Sequence, residues 1–192
     1  MLSLEDSFKT LKASKAERLK ALEFVCQNPH YIQKLFDLAV TPSAARIHIY
    51  AAWVWELYLL EEPRKLDPYW SSLLAKISAI HHPSMRRVHS KIIWLYLHHY
   101  RSYKTLPTVE KKKLVTTLLD WILTESKKAP LNFSIRILAL FARESPKLRA
   151  DLGEILRHSK RVFLKEFSQQ FEWFLRIDFL QSYFQRIFAL QI

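Results

Sequence analysis

Glycine and cysteine are almost absent from this chain of 192 residues, which contains one of each, Gly153 and Cys26. A loop that cradles phosphate needs several glycines for positive φ and close backbone approach, so Walker and dinucleotide-binding motifs are excluded. Tight β-hairpins also favour glycine, which argues against a β-sandwich or barrel. A lone cysteine excludes an internal disulfide and a thiolate metal cluster, and we expect Cys26 to be a small buried thiol.

Long hydrophobic runs are missing as well. No uncharged stretch reaches the roughly 18 apolar residues of a membrane span, and the most apolar segment, residues 47–60, is interrupted by His48 and Glu56. Residues 1–12 carry charges of both signs and no apolar run, unlike an export signal. We therefore expect a cytoplasmic protein that does not associate with membranes.

Four of the 8 prolines are spaced 39 residues apart: Pro29, Pro68, Pro107 and Pro146. Proline fits the first turn of a helix, because its missing N–H would have no partner there. Three of these prolines follow residue types that commonly cap a helix start, Asn28, Asp67 and Ser145. A helix is therefore predicted to begin at each of the four prolines.

A second set of predicted helix breaks divides each unit of about 39 residues, counted from one periodic proline to the next, in two. Pro42, Pro83 and Pro130 fall between the periodic prolines, and Ser43 and Ser84 follow the first two as predicted caps. The segments between breaks carry apolar residues at steps of three and four, which is typical of amphipathic helices. Each unit is therefore predicted to contain a first helix, a break and a second helix.

The N-terminal segment carries a further helix signal. Ser14 and Glu17 match a capping box, which predicts a helix to about Gln27. We predict an all-α fold of about ten helices, essentially without strands, as a single domain over residues 1–192. Its predicted parts are N-terminal helices (1–28), three repeats (29–67, 68–106 and 107–145), and a last repeat with a C-terminal cap (146–192).

A period near 40 residues with two helices per unit resembles HEAT and armadillo-like α-solenoids. The resemblance implies a right-handed α-α superhelix of about four helical hairpins, in which the second helices line the concave face. It implies no particular activity, because such solenoids carry many roles. We predict a non-catalytic binding module or scaffold, whose expected partner is a protein and whose alternative partner is a nucleic acid.

Basic residues outnumber acidic ones by 30 to 18, giving a formal net charge of +12. The second helices carry Arg46, Arg87 and Arg136 near the same turn, and Lys91 follows Arg87 one turn later. On a concave face these side chains would form a basic ladder suited to phosphate groups. The alternative is structural, because an arginine at this position often pairs with an acidic residue of the neighbouring unit and orders the stack.

Two of the 6 tryptophans, Trp55 and Trp70, fall off the strongest apolar faces of their helices. We expect them to be exposed and to anchor a partner, with partial burial as the alternative. Trp53 and Trp94 occupy equivalent repeat positions and are predicted to lie in the core between units.

A DNA-binding alternative rests on a second resemblance. In repeat type, basic charge and tryptophan content the chain is similar to HEAT-like alkylpurine DNA glycosylases, which use an aspartate with nearby tryptophans and an arginine. The nearest candidates are Trp121 with Glu125 and Trp53 with Glu56, which lack that aspartate, so no catalytic residue is assigned. Histidine spacing offers no metal motif, and no cofactor is expected.

The C-terminal segment carries an aromatic stripe, in which Phe163, Phe167, Phe171 and Phe174 follow one another at helical spacing. Apolar residues then continue to Ile192. Because a terminal solenoid unit usually needs a polar outer face, we interpret this segment as a helical hairpin that caps the last repeat. The alternative is a surface for self-association or for a partner.

Overall fold

A computed structural model describes residues 4–100 and 102–158 of the chain. These residues form nine α-helices and four short 3₁₀ segments and contain no β-strand. The helices are α1 (Leu4–Thr10), α2 (Lys15–Gln27), α3 (Ile32–Val40), α4 (Arg46–Glu61), α5 (Trp70–Lys76), α6 (Pro83–His99), α7 (Thr108–Thr124), α8 (Lys128–Ala142) and α9 (Pro146–His158). The 3₁₀ segments are Pro29–Tyr31, Pro63–Tyr69, Ile77–Ala79 and Tyr103–Thr105. The predicted all-α class is confirmed.

Several helix starts follow the predicted signals. Ser14 Oγ accepts a hydrogen bond from the Glu17 backbone N–H at 3.3 Å, so the capping box opens α2. Pro107 stands directly before the first residue of α7. At the start of α9, Ser145 Oγ accepts from the Leu148 backbone N–H at 3.2 Å. These three starts could be located from the sequence, because their signals act over a few residues.

Two predicted caps are wrong. Asn28 Nδ2 donates backwards to the Phe24 carbonyl oxygen at 2.8 Å, and the Asp67 carboxylate accepts from the Tyr96 hydroxyl. Both residues belong to or precede a 3₁₀ segment, and α3 and α5 begin only after these segments. The side chains are therefore too early in the chain to cap those helices.

The second helices also begin differently from the prediction. The helix α4 begins at Arg46, so Ser43 lies too early in the chain to cap it. Ser43 Oγ instead accepts from the Ala45 N–H in the turn before the helix, at 3.0 Å. The start of α6 is capped by His82, whose Nδ1 accepts from the Ser84 N–H at 3.2 Å. The prolines therefore mark these helix starts to within a few residues, but they do not indicate which side chain accepts the capping hydrogen bond.

Residues 1–137 form one compact unit. Within it α4 packs against α1, α2, α3 and α6, so that side chains on most of its faces are buried. Trp55 of α4 shows this best, because its ring lies 5.4, 5.5 and 5.1 Å from the rings of Phe36, Tyr58 and Tyr69. Such aromatic clusters contribute strongly to a core, since each ring buries a large apolar area.

Three side-chain contacts inside this unit join residues about as far apart in the chain as the periodic prolines. They join α3 to α5 and α5 to α7, through residues 38 to 40 positions apart in the chain. The pairs are Lys76 with the Asp37 carboxylate (3.4 Å), Lys113 with the Ala75 carbonyl oxygen (3.0 Å), and the Trp70 indole N–H with the Glu110 carboxylate (2.7 Å). Successive first helices therefore contact one another one period apart.

His48 and His89 occupy equivalent repeat positions, and both bond to the end of α3. His48 Nδ1 lies 3.0 Å from the Leu38 carbonyl oxygen, and His89 Nε2 lies 2.8 Å from that of Ala39. Burial lowers the pKa of His89 to about 4, against smaller opposing effects of the Ala39 bond and of Glu56. His89 is therefore a neutral packing residue near pH 7.

Cys26 is exposed, so the expectation of a buried thiol is wrong. The helix α2 buries Leu22 and Val25. Cys26 follows Val25 directly and is rotated by about 100° around the helix axis, because an α-helix has 3.6 residues per turn. That rotation turns its side chain to the outer face.

The described residues 138–158 belong to a second unit. Here α9 buries Leu148, Leu152 and Leu156, at steps of four residues along one face. The predicted C-terminal aromatic hairpin lies outside the described residues. None of the described helices combines the length and the apolar character that a bilayer crossing requires.

We predict that His89→Gln makes the free energy of unfolding less sensitive to acid. The pKa of His89 is about 4 in the folded protein and roughly 6.5 in an unfolded chain, so acidification between these values favours unfolding. Between pH 7 and pH 5 this coupling costs the wild type about 2 kcal/mol. Glutamine can still donate to the Ala39 carbonyl but does not titrate.

Urea unfolding of both proteins at both pH values measures the difference. The variant should lose less stability than the wild type on going to pH 5. An equal loss in the two proteins would contradict the role given to His89.

Candidate binding groove

An open groove with a volume of about 390 Å³ lies within the unit formed by residues 1–137. Three basic side chains and a half-buried tryptophan line it: Arg18, Arg87, Lys127 and Trp53. Alanines, prolines and a serine complete its described lining, which contains no acidic residue. We call this feature the basic groove.

Helix starts supply much of the groove wall. Pro83 and Ser84 lie in the first turn of α6, and Ala129 and Pro130 lie in the first turn of α8. Proline is favoured at such positions, so two of the predicted breaks also mark the groove. The N–H groups of a first turn give each helix start a partial positive charge, which adds to the charge of the basic side chains.

Arg18 lies over the indole of Trp53. Its guanidinium carbon is 5.2 Å from the ring centroid, and its Nε donates to the Ser14 carbonyl oxygen at 3.4 Å. Trp53 in turn contacts Tyr50 at 5.1 Å between ring centroids. These contacts hold Arg18 against the wall of the groove, because a cation is attracted to the face of an indole ring.

Arg87 reaches the groove from an ion pair with a buried carboxylate. Its Nη1 and Nη2 lie 2.9 and 2.6 Å from the two carboxylate oxygens of Glu56, and Lys91 Nζ lies 3.1 Å from one of them. Burial alone would raise the pKa of Glu56, but the hydrogen bond and charge of Arg87, with those of Lys91, hold its pKa below the ordinary value. Glu56 therefore stays ionised, and its two cationic partners leave positive charge in excess.

A second buried carboxylate fixes the backbone that carries Lys127. Glu125 Oε1 accepts from the N–H groups of Ser126 and Lys127 at 2.8 and 2.9 Å. Its other oxygen lies 3.7 Å from Arg86 Nη1, and both side chains are almost fully buried. Arg86 Nε also donates to the Ile80 carbonyl oxygen at 3.0 Å. The exposed Lys127 side chain therefore extends from a backbone segment that these two hydrogen bonds hold in place.

Arg86 and Arg87 are adjacent in α6 but bind carboxylates of different segments of the chain. Arg87 pairs with Glu56 in α4, earlier in the chain, and Arg86 pairs with Glu125, just after α7. Adjacent helical residues point about 100° apart, so one arginine can reach each neighbour. The structural alternative for a second-helix arginine, an ion pair with the neighbouring unit, is therefore realised at Arg87.

The members of the predicted basic ladder lie in different surroundings. Among them, Arg87 lines the basic groove. Arg46 Nε donates to the Tyr50 hydroxyl at 2.6 Å, and its Nη2 donates to the Leu11 carbonyl oxygen at 3.1 Å. Arg136 Nε donates to Asn132 at 2.8 Å. Lys91 pairs with Glu56 and does not belong to the described groove lining. Binding of a ligand by these residues stays a prediction.

The expected exposure of Trp55 and Trp70 is wrong, since these side chains are 0% and 1% exposed. Trp55 is buried because α4 has neighbours on several sides, so a position off the strongest apolar face still meets another helix. Trp70 is covered by Tyr96, with ring centroids 5.0 Å apart. Neither residue is an exposed anchor. Trp94 is buried as predicted, whereas Trp53 is half-buried at the groove.

Arg18 was missed by sequence reasoning because it precedes the first repeat and so has no equivalent in the periodic pattern. Lys127 is not among the predicted site residues, and Trp53 is predicted to lie in the core. A usable signal was present in Pro83 and Pro130, which mark helix starts on either side of the groove.

In the two tryptophan–glutamate pairs compared with the glycosylase site, both glutamates form ion pairs with basic side chains. Glu56 is ion-paired with Arg87 and Lys91, and Glu125 is paired with Arg86 beside the buried Trp121. In residues 4–100 and 102–158, no three histidine, cysteine or acidic side chains are grouped as metal ligands would be.

No family model, curated protein or solved structure matches this chain. Inference about its function therefore rests on the basic groove and on the contacts that recur with the repeat.

We predict that Glu56→Gln destabilises the protein by about 2 kcal/mol. Removing one partner of a buried ion pair costs about 3–5 kcal/mol, but Arg87 and Lys91 are 29% and 24% exposed, and water offsets part of the loss. The matched control is Glu61→Gln, which removes the more exposed Lys65 pair and should change stability by less than about 0.5 kcal/mol. Urea unfolding at pH 7 measures both, and equal effects would show that the Glu56 pair has no special role.

Proposed function

We propose that this protein is a non-catalytic, HEAT-like binding module or scaffold that presents the basic groove to an anionic segment of a protein or a nucleic acid. The observation that carries the proposal is the lining of the groove, where Arg18, Arg87 and Lys127 surround Trp53 without an acidic residue among the described lining. Cations arranged in this way attract an anionic partner and orient it.

A solenoid of stacked helical hairpins is the architecture that we propose for this module. It is supported by the alternation of first and second helices and by contacts between α3, α5 and α7 one period apart. The ion pair between Glu56 and Arg87 likewise joins two successive second helices, α4 and α6. The right-handed superhelix of about four hairpins, which the resemblance to HEAT and armadillo-like solenoids implies, is the form that we propose for it.

A second candidate is a DNA-binding HEAT-like protein related to alkylpurine DNA glycosylases, which the positive charge of the basic groove favours. Against catalysis, Glu56 and Glu125 are both engaged by arginines. Incubation with duplex DNA that contains alkylated bases tests this candidate. Release of the altered base would establish it, and the absence of release across several lesions would remove it.

We predict that the double variant Arg18→Gln/Lys127→Gln weakens binding of an anionic probe at least about tenfold, because it removes two charges from the groove. The probes are a fluorescein-labelled polyglutamate peptide and a mixed-sequence oligonucleotide, measured by fluorescence anisotropy. The matched control is Lys104→Gln/Lys112→Gln, which removes the same charge at two exposed positions outside the groove lining.

The control should bind nearly as well as the wild type. If both double variants lose affinity equally, attraction comes from the overall charge and the groove is not the binding site. If neither probe binds the wild-type protein, the proposed function is wrong.

A further inference from the structure

The size of the basic groove limits what can enter it. Its volume of about 390 Å³ is near the lower end of the roughly 300–1,000 Å³ typical of ligand pockets. A group the size of a nucleotide fits such a space, whereas the body of a nucleic-acid duplex stays outside it. A large folded partner would likewise reach the groove only with a single protruding group.

The charge around the groove exceeds what the protein itself neutralises. Glu56 is shared by Arg87 and Lys91, so these two cations outnumber the carboxylate between them. Arg18 and Lys127 add to this excess, and Arg18 donates to a neutral carbonyl oxygen. Arginine offers a planar fork of N–H donors that matches the oxygens of a phosphate group.

The Arg18–Trp53 pair adds a flat surface next to these charges. The guanidinium carbon lies 5.2 Å from the indole centroid, and Trp53 is half-buried at the groove wall. Bases of single-stranded nucleic acids stack on aromatic rings and on arginine guanidinium planes. A peptide of glutamate alone would satisfy the charges but has no flat ring for this surface.

We propose that the basic groove binds single-stranded nucleic acid, with a phosphodiester group on Arg18, Arg87 and Lys127 and the adjoining base against the Arg18–Trp53 pair. This inference rests on the proposed function and narrows it to one class of partner. The formal net charge of +12 supports the choice, because it draws a polyanion from a distance. A base in a duplex is stacked and paired and cannot occupy the same surface.

Fluorescence anisotropy with a labelled oligothymidine of about 12 nucleotides tests this proposal. Two competitors of the same length serve as comparisons: the duplex with oligoadenine, and a polyglutamate peptide. The single strand should bind at least about tenfold more tightly than either. One neutralised phosphodiester group predicts a slope of log affinity against log salt of about −0.7, and Lys127→Gln should make the slope shallower.

The stacking surface is tested separately by Trp53→Leu and Trp53→Phe. Loss of a stacked base should lower the affinity of Trp53→Leu for oligothymidine about tenfold, whereas Trp53→Phe keeps an aromatic ring and most of the affinity. Circular dichroism and urea unfolding establish that both variants are folded. An equal loss in two folded variants would overturn the stacking role.

The outcomes separate this inference from the proposed function. Groove-dependent binding of polyglutamate without binding of oligothymidine would overturn the nucleic-acid inference and leave the binding module standing. Equal or tighter binding of the duplex would overturn the preference for single strands. If Arg18→Gln/Lys127→Gln weakens no probe more than Lys104→Gln/Lys112→Gln does, both proposals fail together.

Discussion

The structure of the first unit depends on the burial of two carboxylates, Glu56 and Glu125, which a protein interior accepts only when cations and hydrogen-bond donors surround them. Each carboxylate has an arginine partner, and the two arginines, Arg86 and Arg87, are adjacent residues of one helix. Because these arginines diverge around α6, each carboxylate ties a different neighbour to the same helix. The helix α6 is thereby fixed on both sides by charge as well as by apolar packing.

The same ion pairs define the basic groove. Arg87 is held by Glu56 and still lines the groove, while Glu125 fixes the turn on which Lys127 stands. The proposed ligand site is therefore formed by the same contacts that hold the helices together. Arg87 is thereby held in place by Glu56 before a partner arrives, which reduces the entropy that this side chain loses on binding.

Sequence reasoning located most helix starts but not the details of their caps. Ser14 and Ser145 act as predicted, because a capping bond spans three residues and depends on little else. Asn28 and Asp67 fail because 3₁₀ segments delay the helices that follow. Whether the chain continues in a 3₁₀ or an α-helical turn depends on packing against other helices, which a local pattern does not contain. The same limit applies to Trp55 and Trp70, whose burial is decided by helices distant in the chain.

The all-α class, the 39-residue spacing of four prolines and the excess of positive charge follow from glycine content, proline positions and composition, which are properties of the chain alone. Which of the basic residues share a surface depends instead on how the helices pack. Arg18, Arg87 and Lys127 are far apart in the chain and line one groove, while Arg46 and Arg136 lie outside its lining despite their matching repeat positions. A side chain's neighbours depend on where whole helices pack, and this packing brings Arg18 to the groove although it precedes the first predicted repeat.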